Sequence, residues 1–164
     1  MLTYEGFKHM DPDVFHGKKL SLHDCTADKI SLEKGTLRFC FPDGFWITPH
    51  HKENPSGKTV RTDASAVSFS VGNIDEMTVR VFTKNWCRWR KTRVEDWRVE
   101  QLIAAVNSKK CTIEFITQYR SNYEQMWHCV IHSEKKPYYR ECQLYLPGAE
   151  ASFFWNDIRP DWEW

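Results

Sequence analysis

Several absences narrow this chain before anything present does. No apolar run exceeds a few residues, so no transmembrane helix is expected. Met1 to Met10 includes Glu5, Lys8 and His9 and has no apolar signal core, which points to a cytoplasmic protein. Charge of one sign is lacking too. With 23 Lys and Arg against 22 Asp and Glu, the net charge is +1, and nothing global draws the chain to nucleic acid or a membrane surface. Glycine is scarce, at seven residues, several of them placed in turn signals. There is no Gly-rich phosphate loop and no G-x-S-x-G nucleophile motif. The six cysteines include no C-x-x-C pair, so in a reducing compartment they read as free, mostly buried thiols. No cofactor is expected.

What is abundant is aromatic. Phe, Trp and Tyr make up 15% of the residues, including 8 Trp. Trp and Tyr carry polar atoms, so some belong at the rim of a core and not in its centre. A length of 164 residues fits one domain, 1–164, with an arm at 1–19 and an aromatic tail at 156–164. A chain of this size buries roughly 70% of its unfolded surface, enough for a self-sufficient core.

The dominant pattern has period two. Ile30 and Leu32, then Leu37, Phe39 and Phe41, alternate with polar residues around Glu33-Lys34-Gly35, a turn in which Gly35 takes positive φ. Pro42-Asp43-Gly44 marks the next turn. Strands are expected at Leu20 to Leu32 (bent in the middle), Thr36 to Phe41, Phe45 to Thr48, Ser65 to Val71 and Met77 to Lys84. More follow at Thr92 to Val99, Cys111 to Tyr119, Gln125 to His132, Tyr138 to Leu146 and Ala151 to Trp155. Pro49 to Ala64 reads as a polar surface loop, and the tail as too short for an element. Only Glu100 to Ser108 reads as helix, with Leu102, Ile103 and Val106 on one stripe. The expected fold is mostly β: an antiparallel two-sheet sandwich or flattened barrel of about eight to nine strands, with one short covering helix.

Three groups of residues carry possible chemistry. In a continuous strand His23 and Cys25 point to one side and Asp24 to the other. That pairing reads either as part of a metal site or thiol enzyme, joined by loop residues His50 and His51, or as a strand start with Asp24 in a structural role. The structural reading is favoured, because buried Cys and satisfied His are common and no metal-ligand spacing such as H-E-x-x-H occurs. His128 and His132 would share a strand face but lie roughly 13 Å apart, too far for one ion. The third group is basic: Lys84, Arg88, Arg90, Lys91 and Arg93, with Trp86 and Trp89 among them and no acid between. Trp and Arg are favoured interface types, so Trp86, Arg88, Trp89, Arg90 and Arg93 form the candidate surface for an acidic protein partner. Carbohydrate or nucleic-acid binding through the same hairpin is the further alternative, disfavoured for nucleic acid because no binding motif accompanies it.

The run Leu22-His23-Asp24-Cys25, with Ile30, Gly35, Leu37, Phe39 and Phe41 after it, resembles the start of small bacterial proteins grouped with toxin-immunity proteins. These share a His-Asp pair before two amphipathic strands and a β-sandwich-like fold. The Phe-Pro-Asp-Gly-Phe-Trp-Ile continuation and the aromatic tail resemble an uncharacterised bacterial branch. Such a resemblance covers about the first third of the chain. It implies a stoichiometric protein binder without catalysis and carries over no functional residue.

Overall fold

The computed structural model describes residues 6–12, 18–84, 92–121 and 124–164. Strand dominates. The first half contributes β1 (His9–Asp11), β2 (Leu20–Ser21), β3 (Cys25–Ala27), β4 (Lys29–Glu33), β5 (Thr36–Phe41), β6 (Trp46–Ile47), β7 (Val60–Thr62) and β8 (Ser65–Ser70). After one 3-10 turn at Ile74–Glu76 come β9 (Thr78–Thr83), β10 (Arg93–Trp97) and the helix α1 (Val99–Asn107). β11 (Cys111–Arg120), β12 (Glu124–Ser133), β13 (Tyr139–Pro147), β14 (Glu150–Trp155) and β15 (Ile158–Glu163) complete the chain.

These strands form three antiparallel sheets among the described residues, and no closed barrel. Their orders are β1-β14-β8-β5-β4, β10-β9-β13-β12-β11-β3 and β15-β7-β6-β2. The mostly-β expectation holds, whereas eight to nine strands in two sheets is too simple. Five extra strands come from stretches read as loop, arm or tail, or as a single bent strand. β7 lies inside the expected surface loop, β1 in the arm and β15 in the tail. The long strand expected at Leu20 to Leu32 is three strands, and each joins a different sheet. Asp24 adopts φ +54°, which ends the pleat and redirects the chain between β2 and β3.

Alternation sets the core. Leu37, Phe39, Ile113, Phe115, Ile131 and Leu144 are fully buried, and Trp127 nearly so. Phe39 of β5 stands edge-on to Phe69 of β8 in its own sheet and to Phe115 of β11 in the facing sheet, with ring centres 5.9 and 5.1 Å apart. Phe115 then meets Trp127 at 5.3 Å. Each such side chain contributes about 1.5–3 kcal/mol by burial, and edge-to-face pairs add about 0.5–1.5 kcal/mol.

The turns follow their residues. Lys34 (φ +47°) and Gly35 (φ +77°) form the two-residue loop between β4 and β5, as the sequence suggested. Gly44 (φ +74°) has no room for a side chain: a Cβ there would overlap the Thr62 carbonyl and lie 2.6 Å from the Asp63 carbonyl. That close approach lets the Phe45 N–H donate to Thr62 Oγ1 and the Thr62 N–H donate to the Phe45 carbonyl, both at 2.9 Å. Helix α1 buries Val99, Leu102 and Val106, and Gln101 reaches back to accept the Arg98 N–H at 2.8 Å. No helix among the described residues is long and apolar enough to cross a membrane.

Candidate functional site

The four-stranded sheet carries the most unusual surface. In β7, Val60 and Thr62 are buried, so Arg61 between them faces outward. Register then places Trp46 of β6 opposite Arg61 on one side and Arg159 of β15 opposite it on the other. Pairing between β15 and β7 lapses after Arg159 and resumes at Glu163. The interruption contains Pro160, which has no N–H to give the ladder. Trp162, in the irregular stretch, comes to lie beside both arginines.

The result is a continuous run of rings and cations. The Arg61 guanidinium carbon sits 4.6 Å from the centre of the Trp46 ring and 5.5 Å from that of Trp162. Arg159 lies 4.4 Å from the Trp162 ring. On the other side of Trp46 comes Trp164 at 5.4 Å, and His23 stacks on Trp164 at 5.3 Å with planes 14° apart. Hydrogen bonds fix the row. The Trp46 indole N–H donates to the His23 carbonyl at 2.8 Å, Arg61 Nη2 donates to the Asp24 carbonyl at 3.2 Å, and the Trp164 N–H donates to the Thr59 carbonyl at 3.1 Å. Lys58 Nζ pairs with Glu163 at 2.6 Å along the same edge. Trp164 remains 67% exposed and Trp162 37%. Arg61 Nε is buried without a hydrogen-bond partner among the described residues.

His23, Asp24 and Cys25 do not act together here. With the strand interrupted at Asp24, the His23 ring lies at the surface, where its Nδ1 donates to the Ile116 carbonyl. Cys25 is fully buried, its thiol directed at the carbonyls of His23 (3.4 Å) and Ser21 (3.8 Å), and no hydrogen bond joins it to the His23 ring among the described residues. Burial pushes the Cys25 thiol up to about 12, against a smaller opposing pull from the Arg61 charge. A thiol held so firmly protonated is no nucleophile near neutral pH. The Asp24 N–H donates to the Phe115 carbonyl at 2.8 Å, while its carboxylate is exposed near His23 Nε2, 3.5 Å away.

The loop histidines separate although they lie in successive turns and not in extended chain, with the His51 N–H donating to the Thr48 carbonyl. His50 is exposed and His51 is buried. His51 helps wall a cleft of about 300 Å³ together with His9, Asp11, Glu53 and Trp155. Its Nδ1 accepts the Glu53 N–H at 3.1 Å, so Nε2 carries the hydrogen and donates to Asp11 at 3.2 Å. Nδ1 thus shapes the loop itself, and Nε2 ties the loop to β1. Among the described residues no three His, Cys, Asp or Glu side chains are grouped so as to hold a metal ion.

Of the basic hairpin, Trp86, Arg88, Trp89, Arg90 and Lys91 lie outside the described residues. The two flanking cations find acids within the chain: Lys84 pairs with Glu141, and Arg93 Nη2 with Glu95 at 2.9 Å. Lys84 in turn holds the Glu141 carboxyl below its ordinary range. Trp46, Arg61, Arg159 and Trp162 escaped the sequence reading because β6 and β7 are short and β15 is irregular. The available signal was the alternation Trp162-Glu163-Trp164, which in a strand places both indoles on one side. No protein-family model, no curated protein and no solved structure matches this chain.

Proposed function

We propose that this protein is a non-catalytic protein-binding module of the immunity type, whose binding face is the Trp–Arg row of the four-stranded sheet and whose partner presents acidic residues. The row itself carries the reading: Trp and Arg are the residue types that concentrate binding energy in protein interfaces. Here they are already held in place by stacking and by hydrogen bonds to main-chain carbonyls, so docking costs little side-chain entropy. The fold is read in the same terms, as a two-sheet sandwich meeting through Phe39 and Phe115, to which the small sheet is added as a recognition surface.

Two features weigh against other ligands. Trp46 and Trp162 in the middle of the row already stack against guanidinium groups or another indole, which makes them poorer platforms for a sugar or a base. Asp24, Asp161 and Glu163 border the row, which disfavours a polyanionic strand. The test is a photo-crosslinking side chain placed at position 162 and, separately, at Lys34 in the distant β4–β5 turn. The expected result is one acidic protein crosslinked from 162 and not from 34, and lost when Arg159 becomes Glu. The reading is overturned if both positions crosslink the same proteins, or if Arg159→Glu leaves the pattern unchanged.

A further inference from the structure

We infer that Arg61 and Arg159 form a paired guanidinium clamp for a single carboxylate, an Asp or Glu side chain of the partner protein. The inference rests on the protein-binding reading of this face and adds the chemical group recognised. The two arginines are direct cross-strand partners. Like charges at that position are destabilising, because the side chains leave the sheet only about 5 Å apart. Neither arginine forms an ion pair with an acid among the described residues.

The aromatic contacts explain how the pair is tolerated and what it leaves free. Trp46 and Trp162 take guanidinium groups over their rings at 4.4 to 5.5 Å. Such contacts stabilise the charge through the ring and leave the N–H donors, which lie in the guanidinium plane, to point elsewhere. Among the described residues Arg61 Nη2 donates to the Asp24 carbonyl, and the Arg61 side chain also lies against the Cys25 thiol. Arg61 Nε is buried, out of reach of an incoming group, whereas Arg159 donates no hydrogen bond among the described residues and keeps its whole planar donor set. Two adjacent cations, with the donors of Arg159 unused, match the fork of a carboxylate. A phosphate chain would also bring charge against Asp24, Asp161 and Glu163, whereas one carboxylate brings only what the pair neutralises.

The test uses the whole protein with arginine side chains isotope-labelled, titrated at constant ionic strength with sodium acetate and, separately, with inorganic phosphate. Arg61 and Arg159 Nε–H resonances are expected to shift together along one saturating curve with acetate, while chloride leaves them unmoved. Arg159→Lys should weaken acetate binding about tenfold, since it keeps the charge and loses the fork. Arg159→Gln should abolish saturation at Arg61 with the backbone amide spectrum otherwise unchanged. A linear, unsaturable shift, or an Arg61 response that survives Arg159→Gln, overturns the clamp. Phosphate saturating more tightly than acetate overturns the carboxylate assignment. Partner crosslinking that persists without acetate binding would defeat the clamp alone. Acetate binding without any crosslinked partner would support the clamp and defeat the broader reading.

Discussion

At Asp24 the backbone lies at φ +54°, in a region where a side chain with Cβ branching clashes with its own main chain. The residue matters through this angle and through its N–H. Asp24→Asn or Asp24→Gly should therefore stay within about 0.5 kcal/mol of the native stability, while Asp24→Val should lose about 1–2 kcal/mol. Urea unfolding midpoints decide between them, and equal loss in Asn and Val would show that the carboxylate is what counts. Cys25 supplies a second prediction at this scale. Its folded-state value of about 12 lies above the ordinary thiol value of 9.0, so the folded protein keeps a proton that the unfolded chain releases. Stability from this group is complete below about pH 9 and falls as pH rises toward about pH 12. Between about pH 8 and about pH 10, urea midpoints should fall more steeply in the native protein than in Cys25→Ala; parallel curves would refute it. Reactivity should follow burial: Cys40, half-buried, should be labelled by a thiol reagent before Cys25 and Cys129, both fully enclosed.

Among the elements, β4 and α1 show how a sheet edge is closed without another strand. The Asn107 side-chain amide at the end of α1 accepts the Ile30 N–H at 2.9 Å and donates to the Ile30 carbonyl at 2.7 Å. It reproduces one rung of a β-ladder on the outer side of β4, which would otherwise invite pairing with another chain. Asn107→Ala leaves both Ile30 groups unmatched and should cost about 1–3 kcal/mol in urea unfolding, with increased light scattering on warming. An unchanged midpoint would mean that water replaces the amide without loss. The same scale explains what could be read from sequence. β5, β11, β12 and β13 are long enough for alternation to be unmistakable, and helix α1 was legible from Leu102 and Val106. β2 and β6 have two residues each, and β7 three, too few to display any period. The candidate site depends on these short strands. Arg61 and Arg159 are 98 positions apart by number and become neighbours only through the β7–β15 register. Nothing local announces that, so sequence reasoning favoured the Trp and Arg residues that were adjacent along the chain.

At the level of the molecule, pairing is uneven. β12 is hydrogen-bonded on both sides, between β11 and β13, and it buries alternate residues from Gln125 to Ile131. β15 is an edge strand with an irregular register and four exposed residues at its end. Hydrogen exchange followed by mass spectrometry should find amides of β12 protected longest and those of β15 exchanging among the first. Comparable protection in β15 and β12 would show that the small sheet opens only with the whole protein.

The pairing of β1 with β14 has a consequence for the manufacture of the chain. Synthesis runs from the amino end, yet β1 finds its partner in the last third, and the Lys8 N–H waits for the Asn156 side chain 148 positions later. At about 5–20 residues per second, the ribosome needs roughly 7–30 s to deliver that partner. β3 likewise waits for β11. The hairpin of β4 and β5 can close almost as soon as it emerges, and the β11–β12–β13 meander closes late but locally. The segments made first are thus among the last to be seated, and while they wait the apolar side of β5, with Leu37, Phe39 and Phe41, has no facing sheet to cover it. A nascent chain stalled before β11 would present that bare side to the cell's folding machinery.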